Sequence, residues 1–599
     1  MEKEVTGSST NNEETLSTTT ENKSINSIKT KENAPLRIKL LILICMLLLP
    51  VGSHFLEATM GTLKTALKKT MHINNTQFGI LMSAVKLLNT ILPLLAGAFV
   101  DDTNGFGSIR TTSFISFLIL LGSLFVSISA STENYPVMVI GQMIYGLGGS
   151  MIVTMQEAIL SKWFRNQQLA IVIGFKLCSS RLTQCIAKII CYPIVNATGN
   201  PNAPIYISTV ICIWGFIMNI IYWYVMCKQG WATLSGKEIM DQNKKNVDKG
   251  KGDDDRQSIL TILIKSIRWI VHWIFFLPPM FWMIPWIQMI MSSSLSSFDD
   301  IATEFIEFRY QTTSIMAGYQ SSLTQVVPIV AAPIMGIIIH KFGRRLTSLF
   351  MATLFLILSM ILLGWTRAPP AIGMILFSCA LSFGPVSVLS STSLLLPSEL
   401  VGLGMGIHKC ANNIGTAIVS LLVGYVQDLT YHDGDPNDNH SDLMNEYNGV
   451  MILYLCLACG SSLFVIVFWY MDRINLKGWL QNNKKERDRR LQLLMEQQEY
   501  QEMVMIKGNI SQQQLPSNIN EKKEEDQVVM EAADKNNHSS LPNLEEKEKE
   551  EDYLKLTGNR LLSKKSYLYP GIYCFWLLLA WIAFFTFALM PVYLQYQSN

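Results

Sequence analysis

The sequence predicts an all-α membrane protein that consists of two pseudo-symmetric six-helix bundles and one further membrane helix near the C-terminus. Apolar runs of about 20 residues recur along the chain, and each is long enough to cross a bilayer core of about 30 Å. Charged residues make up only 16% of the chain, whereas soluble domains contain about 25%. Two similar stretches, 97–110 and 336–345, end apolar runs with glycine and cationic residues, once in each half of the chain.

The N-terminal part contains a polar tail followed by six apolar runs. Residues 1–36 are rich in Ser, Thr, Asn and Glu and lack an apolar core, so we expect a disordered cytosolic tail. The first bundle is expected over residues 37–227, and its spans lie near residues 38–60, 78–100, 111–131, 136–159, 168–192 and 204–227.

A lysine-bearing linker, expected to be cytosolic and to cover residues 228–279, separates the two bundles. It ends in an apolar segment, "ILTILIKSIRWIVHWIFFLPP", which Lys265, Arg268 and His272 interrupt. This pattern predicts an interfacial amphipathic helix, and a membrane crossing here would invert the topology downstream. The second bundle is expected over residues 280–472, with spans near residues 280–308, 317–340, 346–365, 371–396, 402–427 and 448–471.

The composition changes sharply after residue 472. Residues 473–566 are highly charged and are expected to form a cytosolic tail. The last segment, 567–599, begins with "YLYPGIYCFWLLLAWIAFFTFALMPVYLQY", an apolar run with aromatic residues at both ends. Aromatic belts of this kind mark the two interfaces of a membrane helix. We therefore expect a thirteenth span and a luminal C-terminal end.

The distribution of lysine and arginine between the short loops predicts the orientation of the spans. Most cationic loops fall on one side, which is expected to be cytosolic, but Lys64, Lys68 and Lys69 lie on the opposite side. Sequons on that opposite side indicate a lumen of the secretory or endolysosomal system. The expected glycosylation sites are Asn74, Asn196 and Asn439.

Composition and motifs argue against several classes of function. The formal net charge of +2 and the lack of a basic domain argue against nucleic-acid binding. The 11 cysteines lie mostly in or beside apolar runs, which is not a disulfide framework. No Walker loop, zinc-ligand spacing or nucleophile elbow lies where it could work. We therefore expect no enzyme activity, no catalytic residue, no metal and no cofactor.

The two similar stretches share one position, the cytosolic loop after the second span of each bundle. Glycine in a helix end permits close approach of a neighbouring helix, and the charged residues can pair with helix ends of the other bundle. The stretches resemble the G-x-x-x-D-R-x-G-R-R signature of the major facilitator superfamily, although His340 replaces the acid of the second copy. The expected conformational latch consists of Gly97, Asp101, Arg110, Gly336, Lys341, Gly343, Arg344 and Arg345.

A narrower resemblance concerns the fourth, fifth and eleventh spans. The segments "GQMIYGLGGSMIVTMQEAILSKWF", "IGFKLCSSRLTQ" and "LLLPSELVGLGMGIHKCANNIGTAI" resemble the lysosomal dipeptide uniporters of this superfamily. The resemblance implies uniport, a glycosylated accessory membrane subunit, and a substrate carboxylate bound by Arg181. Two positions depart from the pattern. Gln142 stands where the superfamily usually has an arginine, and Ser150 stands where this branch has a glutamate that holds the peptide amine.

Charged residues inside spans are candidate site residues, because each costs about 2.5–3.5 kcal/mol on insertion scales. Arg181 lies near the centre of the fifth span, and its guanidinium fork suits a carboxylate; a structural ion pair is the alternative. Glu57 and Lys86 are expected either to pair with each other or to line the cavity entrance. Asp299 and Asp300 are expected in the cavity, with a luminal helix end as the alternative.

Further polar residues complete the candidate site. Asn413 in the eleventh span is expected either to hydrogen-bond the substrate or to join helices. Lys176 and Lys188 flank Arg181 and are expected to extend towards the two membrane surfaces. Because Ser150 cannot hold an ammonium group, one of the two aspartates of the seventh span is expected to bind the substrate amine.

These observations predict an alternating-access transporter that carries a small zwitterionic peptide from the lysosomal lumen to the cytosol by uniport. Its expected partners are the peptide, the lipid bilayer and a glycosylated accessory subunit. A transporter of another small organic anion, such as a monocarboxylate, is the first alternative, and a non-transporting receptor or scaffold is the second. The plasma membrane is the alternative location.

Overall fold

The computed structural model describes residues 35–94, 108–164, 167–228, 267–268, 270–396, 400–430, 440–483 and 566–598, and a few positions between 485 and 493. Over these residues the chain is helical, and the helices overlap all thirteen predicted spans. The expected N-terminal tail, most of the charged tail, Gly97, Asp101 and Asn439 lie outside the described residues.

The first half contains six spans, and the first of them is broken where Pro50, which lacks a backbone N–H, precedes α2. The second span begins at a capping box: Asn74 Oδ1 accepts a hydrogen bond from the Gln77 N–H, and Gln77 Oε1 accepts one from the Asn74 N–H. The helices are α1 (Leu36–Leu48), α2 (Val51–Thr62), α3 (Lys64–Met71), α4 (Asn75–Leu87), α5 (Ser108–Thr132), α6 (Tyr135–Trp163), α7 (Gln167–Thr198) and α8 (Ala203–Lys228).

The second half contains six more spans, and a thirteenth follows the charged tail. The helices are α9 (Pro279–Arg309), α10 (Ser314–Phe342), α11 (Arg345–Trp365), α12 (Pro370–Leu395), α13 (Val401–Thr430), α14 (His440–Asn475) and α15 (Leu568–Ser598). Before α9, the described part of the predicted interfacial segment is helical at 267–268 and 270–274 and turns at 275–277.

Helix packing repeats from one half to the other. In the first half α2 packs on α7 and α8, α4 packs on α6, and α5 packs on α6 and α8. In the second half α9 packs on α13 and α14, α10 packs on α12, and α11 packs on α12 and α14. Each pair in the second half corresponds to the pair six spans earlier. The prediction of two pseudo-symmetric six-helix bundles is therefore confirmed, and each bundle has its own apolar core.

The two bundles meet mainly along three helix pairs, α2–α9, α4–α13 and α7–α10, and α3 adds contacts to α9. Glycines permit the close approach of α4 and α13. A Cβ built on Gly79 would lie 2.6 Å from the Ser420 carbonyl oxygen, and one built on Gly424 would lie 2.4 Å from the Asn75 carbonyl oxygen. Any larger residue at either position would push the bundles apart, so small residues set this interface.

Ten of the described spans are long and apolar enough to cross a membrane by length and composition alone. The remaining three spans, α7, α9 and α13, lie in the bundle interface and carry several of the charged and polar side chains described below. This distribution concentrates intramembrane charge where the two halves face each other.

The thirteenth span, α15, packs across the interface between the halves. Phe584 is buried between α4 and α13, where it contacts the cluster that contains Ile80 and Leu421. Trp581 Nε1 donates a hydrogen bond to Thr90 Oγ1, 3.1 Å, just beyond α4. Tyr573 donates to the carbonyl oxygen of Ile407 in α13, 3.3 Å. The helix therefore contacts both bundles at once.

Replacement of Phe584 by alanine should destabilise the protein, because it leaves a cavity between the two halves. Deletion of a buried aromatic ring costs about 3–5 kcal/mol in well-packed cores. We expect a lower melting temperature of the detergent-purified protein, measured by intrinsic fluorescence. Phe575→Ala is the matched control, because Phe575 lies on the same helix and is 60% exposed. Equal shifts for the two variants would contradict the interface packing of α15.

Candidate functional site

Arg181, at the centre of α7, reaches across the bundle interface. Its Nη1 donates to Gln325 Oε1 of α10, 3.1 Å, and to Gln184 Oε1, 3.3 Å. Gln325 Nε2 in turn donates to Asp299 Oδ2 of α9, 2.9 Å. The arginine of the first half and the aspartate of the second half are thus joined through one amide side chain.

Lys188 forms an ion pair with the other carboxylate oxygen of Asp299. Its Nζ lies 2.7 Å from Asp299 Oδ1, and Thr324 Oγ1 donates to that oxygen, also 2.7 Å. Lys188 is only 2% exposed, so the expectation that it extends to a membrane surface is wrong. Lys176 is also buried. The physical reason for the Lys188 result is that pairing with Asp299 compensates the charge locally, which the sequence spacing does not reveal.

Asp300 has a different environment from its neighbour. Its backbone packs against Gly61 of α2, and the charged groups Lys86 and Glu57 of the first half lie nearby. Among the described residues, no group hydrogen-bonds Asp300 Oδ2, although this atom is buried. Asp300 is therefore the aspartate whose carboxyl oxygen can still accept a hydrogen bond.

Glu57 of α2 and Lys86 of α4 form an ion pair within the first half. The structure thus shows the first of the two alternatives that the sequence left open for these residues. His54, one turn before Glu57, was not a sequence candidate. Its Nδ1 is buried without a hydrogen-bond partner among the described residues, and its charged neighbours include Arg181. The sequence feature that could have identified His54 as a candidate is the presence of a histidine within an apolar span.

Asn413 and Ser150 differ in whether the protein satisfies their polar groups. Asn413 Nδ2 donates to the carbonyl oxygen of Asn89, 2.8 Å, so it joins α13 to the end of the second span rather than standing free for substrate. Ser150 of α6 has a buried hydroxyl oxygen that no described residue hydrogen-bonds. A small unsatisfied hydroxyl therefore stands at the position where the resemblance places a glutamate.

The end of the bundles at which α3 lies, here termed the Lys64 end, is closed by charged groups. Lys64 Nζ lies 2.5 Å and Lys68 Nζ 3.3 Å from the carboxylate oxygens of Glu304 in α9. Tyr447 of α14 donates to Glu304 as well, 2.5 Å, and Lys64 also donates to Gln427 of α13, 2.8 Å. These lysines depart from the charge rule for loops because they bind a buried carboxylate of the other half.

Asp428 at the end of α13 strengthens the same closure. Its oxygens accept hydrogen bonds from the backbone N–H groups of Asn75, 3.0 Å, and Thr76, 2.7 Å. These are the first residues of α4, where the helix dipole favours a negative charge. Thr65 also donates to Glu307 of α9, 3.1 Å. The two sequons within the described residues, Asn74 and Asn196, are exposed at this end.

The opposite end, here termed the Arg344 end, holds the second copy of the repeated stretch. Gly343 and Arg344 adopt positive φ angles of 74° and 49°, which ends α10 sharply. The Arg344 N–H donates to the Gln481 carbonyl oxygen, 2.9 Å, and Arg345 Nη1 to the Leu480 carbonyl oxygen, 3.5 Å. The described contacts of Arg344 and Arg345 therefore lie within the second half, and the latch across the bundles stays a prediction.

The other described latch residues have few contacts. A Cβ built on Gly336 would meet no described atom within 4 Å, so this glycine does not mark a close helix approach. Lys341 lies over the ring of its neighbour Phe342, 5.4 Å. Arg110 is exposed at the start of α5. Gly97 and Asp101 lie outside the described residues, so the first copy stays a prediction.

The geometry joins a cation of one bundle and an acid of the other across the bundle interface. Arg181 can bind a carboxylate through its guanidinium, and Asp300 can accept hydrogen bonds from an ammonium group. No cluster of metal ligands is present among the described residues. The arrangement suits binding of a small ion with two opposite charges, while the Lys64 end is sealed.

Comparisons with known proteins identify the family. The family model described as Major Facilitator Superfamily matches residues 42–420 and 286–599. The chain is 20% identical to the Lysosomal dipeptide transporter MFSD1 of Danio rerio, with 72% of this chain and 87% of the relative covered. It is 21% identical to the protein of the same name from Homo sapiens, with 65% and 80% covered.

Solved structures share the fold. A nucleoside transporter, NupG, has a TM-score of 0.51 at 12% identity, and the match covers 72% of this chain and 100% of that chain. A POT family transporter in complex with a thioalcohol-conjugated peptide has a TM-score of 0.52 at 12% identity, with 73% and 96% covered.

Glu304→Gln should destabilise the closed Lys64 end, because it leaves two lysine ammonium groups without their carboxylate. Loss of one partner of a buried pair costs about 3–5 kcal/mol. We expect a double-mutant cycle of Glu304→Gln with Lys64→Met, measured by denaturant unfolding in detergent micelles, to give a clear favourable coupling energy. The control cycle combines Glu304→Gln with Arg367→Gln, because Arg367 is exposed in the loop between α11 and α12. Additive effects of the first pair would refute the seal.

Proposed function

The chain belongs to the Major Facilitator Superfamily, and from this premise we propose that it carries small dipeptides from the lysosomal lumen to the cytosol. The observation that carries the proposal is the link between Arg181 of the first half and Asp299 of the second half through Gln325. A dipeptide has one carboxylate and one ammonium group, so it can engage opposite charges on both halves. The curated relatives named as lysosomal dipeptide transporters support this substrate class.

We assign the substrate carboxylate to Arg181 and the substrate ammonium to Asp300. Asp299 accepts hydrogen bonds from Lys188, Thr324 and Gln325, whereas Asp300 Oδ2 is unsatisfied among the described residues. Burial of an ammonium group without an acceptor is costly, so the free carboxylate oxygen is the better acceptor. His54, whose charged neighbours include Arg181 and Glu57, has a buried Nδ1 that no described residue hydrogen-bonds, so it is a further candidate for substrate contact.

Transport then follows from exchange of contacts at the interface. The seal at the Lys64 end holds this end closed, and its ion pairs must separate when the site opens there. A bound dipeptide that bridges α7 and α9 supplies contacts between the halves during that exchange, as alternating access requires. Uniport is part of the proposal, because each step uses only the substrate and residues of the chain.

We propose that the Lys64 end faces the lumen. The exposed sequons Asn74 and Asn196 lie at this end, and the cationic residues 341–345 lie at the opposite end, which agrees with a cytosolic face. This orientation also makes residues after α15 luminal. A glycosylated accessory subunit, which the family resemblance implies, stays a prediction.

Ser150 favours a second candidate function, transport of a monocarboxylate. The serine supplies no charge for an amine, and a monocarboxylate needs only Arg181. Membership in a family of transporters argues against the third alternative, a non-transporting receptor or scaffold. Substrates with and without an ammonium group distinguish the first two functions.

Arg181→Ala should abolish dipeptide uptake without loss of the fold. Truncation of a buried charged partner costs about 2 kcal/mol or more, which corresponds to about 30-fold in Kd. Arg181→Lys should recover part of the affinity, because it keeps the charge but loses the bidentate fork. The measurement is uptake of a labelled dipeptide into proteoliposomes, with thermal stability as the folding check. Uptake at unchanged affinity in a stable Arg181→Ala protein would exclude the assignment.

Asp300→Asn should weaken uptake of a dipeptide with a free amine but not uptake of its N-acetylated form. The physical reason is that acetylation removes the ammonium group that Asp300 is proposed to bind. Asp299→Asn is the comparison variant; it should affect both compounds equally, because it loosens Lys188 and Gln325. If Asp300→Asn changes neither compound, the amine site lies elsewhere. Efficient uptake of lactate by the wild type would instead favour the monocarboxylate function.

A further inference from the structure

A large groove lies at the Arg344 end, outside the bundle interface. It has a volume of about 930 Å³ and is bounded by α10, α11, α12 and the segment that follows α14. Most of its wall is apolar. The apolar residues that line it are Met335, Ile338, Ile339, Phe342, Met351 and Phe383.

The polar end of the groove contains hydrogen-bonding groups that lack partners. Ser348 lines the groove, is 9% exposed, and its hydroxyl oxygen has no hydrogen-bond partner among the described residues. Gln481 and Asn482 also line the groove, and Gln481 Nε2 and Asn482 Nδ2 have no hydrogen-bond partner among the described residues. Buried donors without partners are uncommon in native proteins. Their concentration at one place therefore indicates a ligand with acceptor oxygens.

Charge at this end favours an anion. The groove includes Arg344, which precedes the first turn of α11, and no side chain caps this 21-residue helix or places an acid in its first turn. Free N–H groups at a helix N-terminus bind phosphate readily. Arg344 is exposed and forms no ion pair with a described acid. Glu486 also lines the groove, and it accepts a hydrogen bond from Arg490, 3.2 Å.

The apolar wall continues to the outer surface of the bundle. Ile338, Phe342 and Met351 are 40%, 57% and 39% exposed. They lie on α10 and α11, both of which are long and apolar enough to span a membrane, so these side chains face lipid. Because α11 begins at Arg345, the polar end of the groove lies at the level of the lipid headgroups.

We propose that this groove, termed the Arg344 groove, binds one phospholipid of the adjoining leaflet. The phosphate lies against Arg344, the first turn of α11, and the donors of Ser348, Gln481 and Asn482. One acyl chain follows the apolar wall, and Glu486 accepts from an amine of the headgroup. A bilayer lipid is the occupant because the groove opens on the membrane-facing surface. The site is independent of the proposed transport function.

Titration of the full-length, detergent-purified protein with dioleoyl phosphatidylserine, followed by native mass spectrometry, tests the proposal. The wild type should bind one molecule at this site. Arg344→Asn, which keeps a residue that tolerates the left-handed backbone, and Ser348→Val should each weaken binding about tenfold, a loss of about 1.4 kcal/mol. Arg367→Asn is the matched control and should change nothing, because Arg367 is exposed at the Lys64 end.

Two further probes separate the sources of binding. Dioleoylglycerol has the acyl chains without the phosphate, and glycerophosphoserine has the headgroup without the chains; both should bind at least tenfold more weakly than the intact lipid. Equal binding of dioleoylglycerol would reduce the site to an apolar groove, and equal binding of glycerophosphoserine would make it a site for a free phosphate compound. Either result overturns the proposal, as does equal affinity of Arg344→Asn and Arg367→Asn proteins with unchanged melting temperatures.

Discussion

The ion pair between Lys64 and Glu304 is the interaction on which the arrangement of the two halves depends. Its atoms are 2.5 Å apart, both side chains are 1% exposed, and they belong to different bundles. Separation of such a pair exposes each charge to a low-dielectric interior and costs several kcal/mol unless another partner arrives. The bundles are therefore held at this end by electrostatics, whereas glycine contacts between α4 and α13 allow the helices to approach closely enough for the pair to form.

Buried charges at the centre of the protein also need partners of opposite charge. Lys188 and Asp299 form a second pair across the interface, and Gln325 extends it to Arg181. Movement of one half against the other must therefore exchange partners in the centre and at the Lys64 end together. A zwitterion that carries both charges can replace these partners in kind, which a neutral solute cannot.

Much of the fold could be predicted from the sequence, because a span of about 20 apolar residues is a local property. The partners of the charged residues could not. Lys188 and Asp299 are 111 positions apart, and they meet because α7 packs on α10, which in turn packs on α9. The spans α7, α9 and α13 were predicted as well, although they are less apolar than the other ten because they carry polar and charged residues of the interface. Gly336 belongs to the motif that predicts a close helix approach, yet a Cβ at this position would meet no described atom within 4 Å.

The groups that remain unsatisfied are as informative as the pairs. His54 Nδ1, Ser150 Oγ and Asp300 Oδ2 are buried, and no described residue hydrogen-bonds them. Each such group costs about 1–3 kcal/mol relative to a satisfied one, so a protein that had only to remain closed would gain stability by their replacement with apolar residues. His54 lies near Glu57 and Arg181, and Asp300 lies near Lys86 and Glu57. A polar solute bound between the halves would satisfy such groups in one arrangement of the bundles and not in another, and a solute shifts an equilibrium only by a difference of this kind.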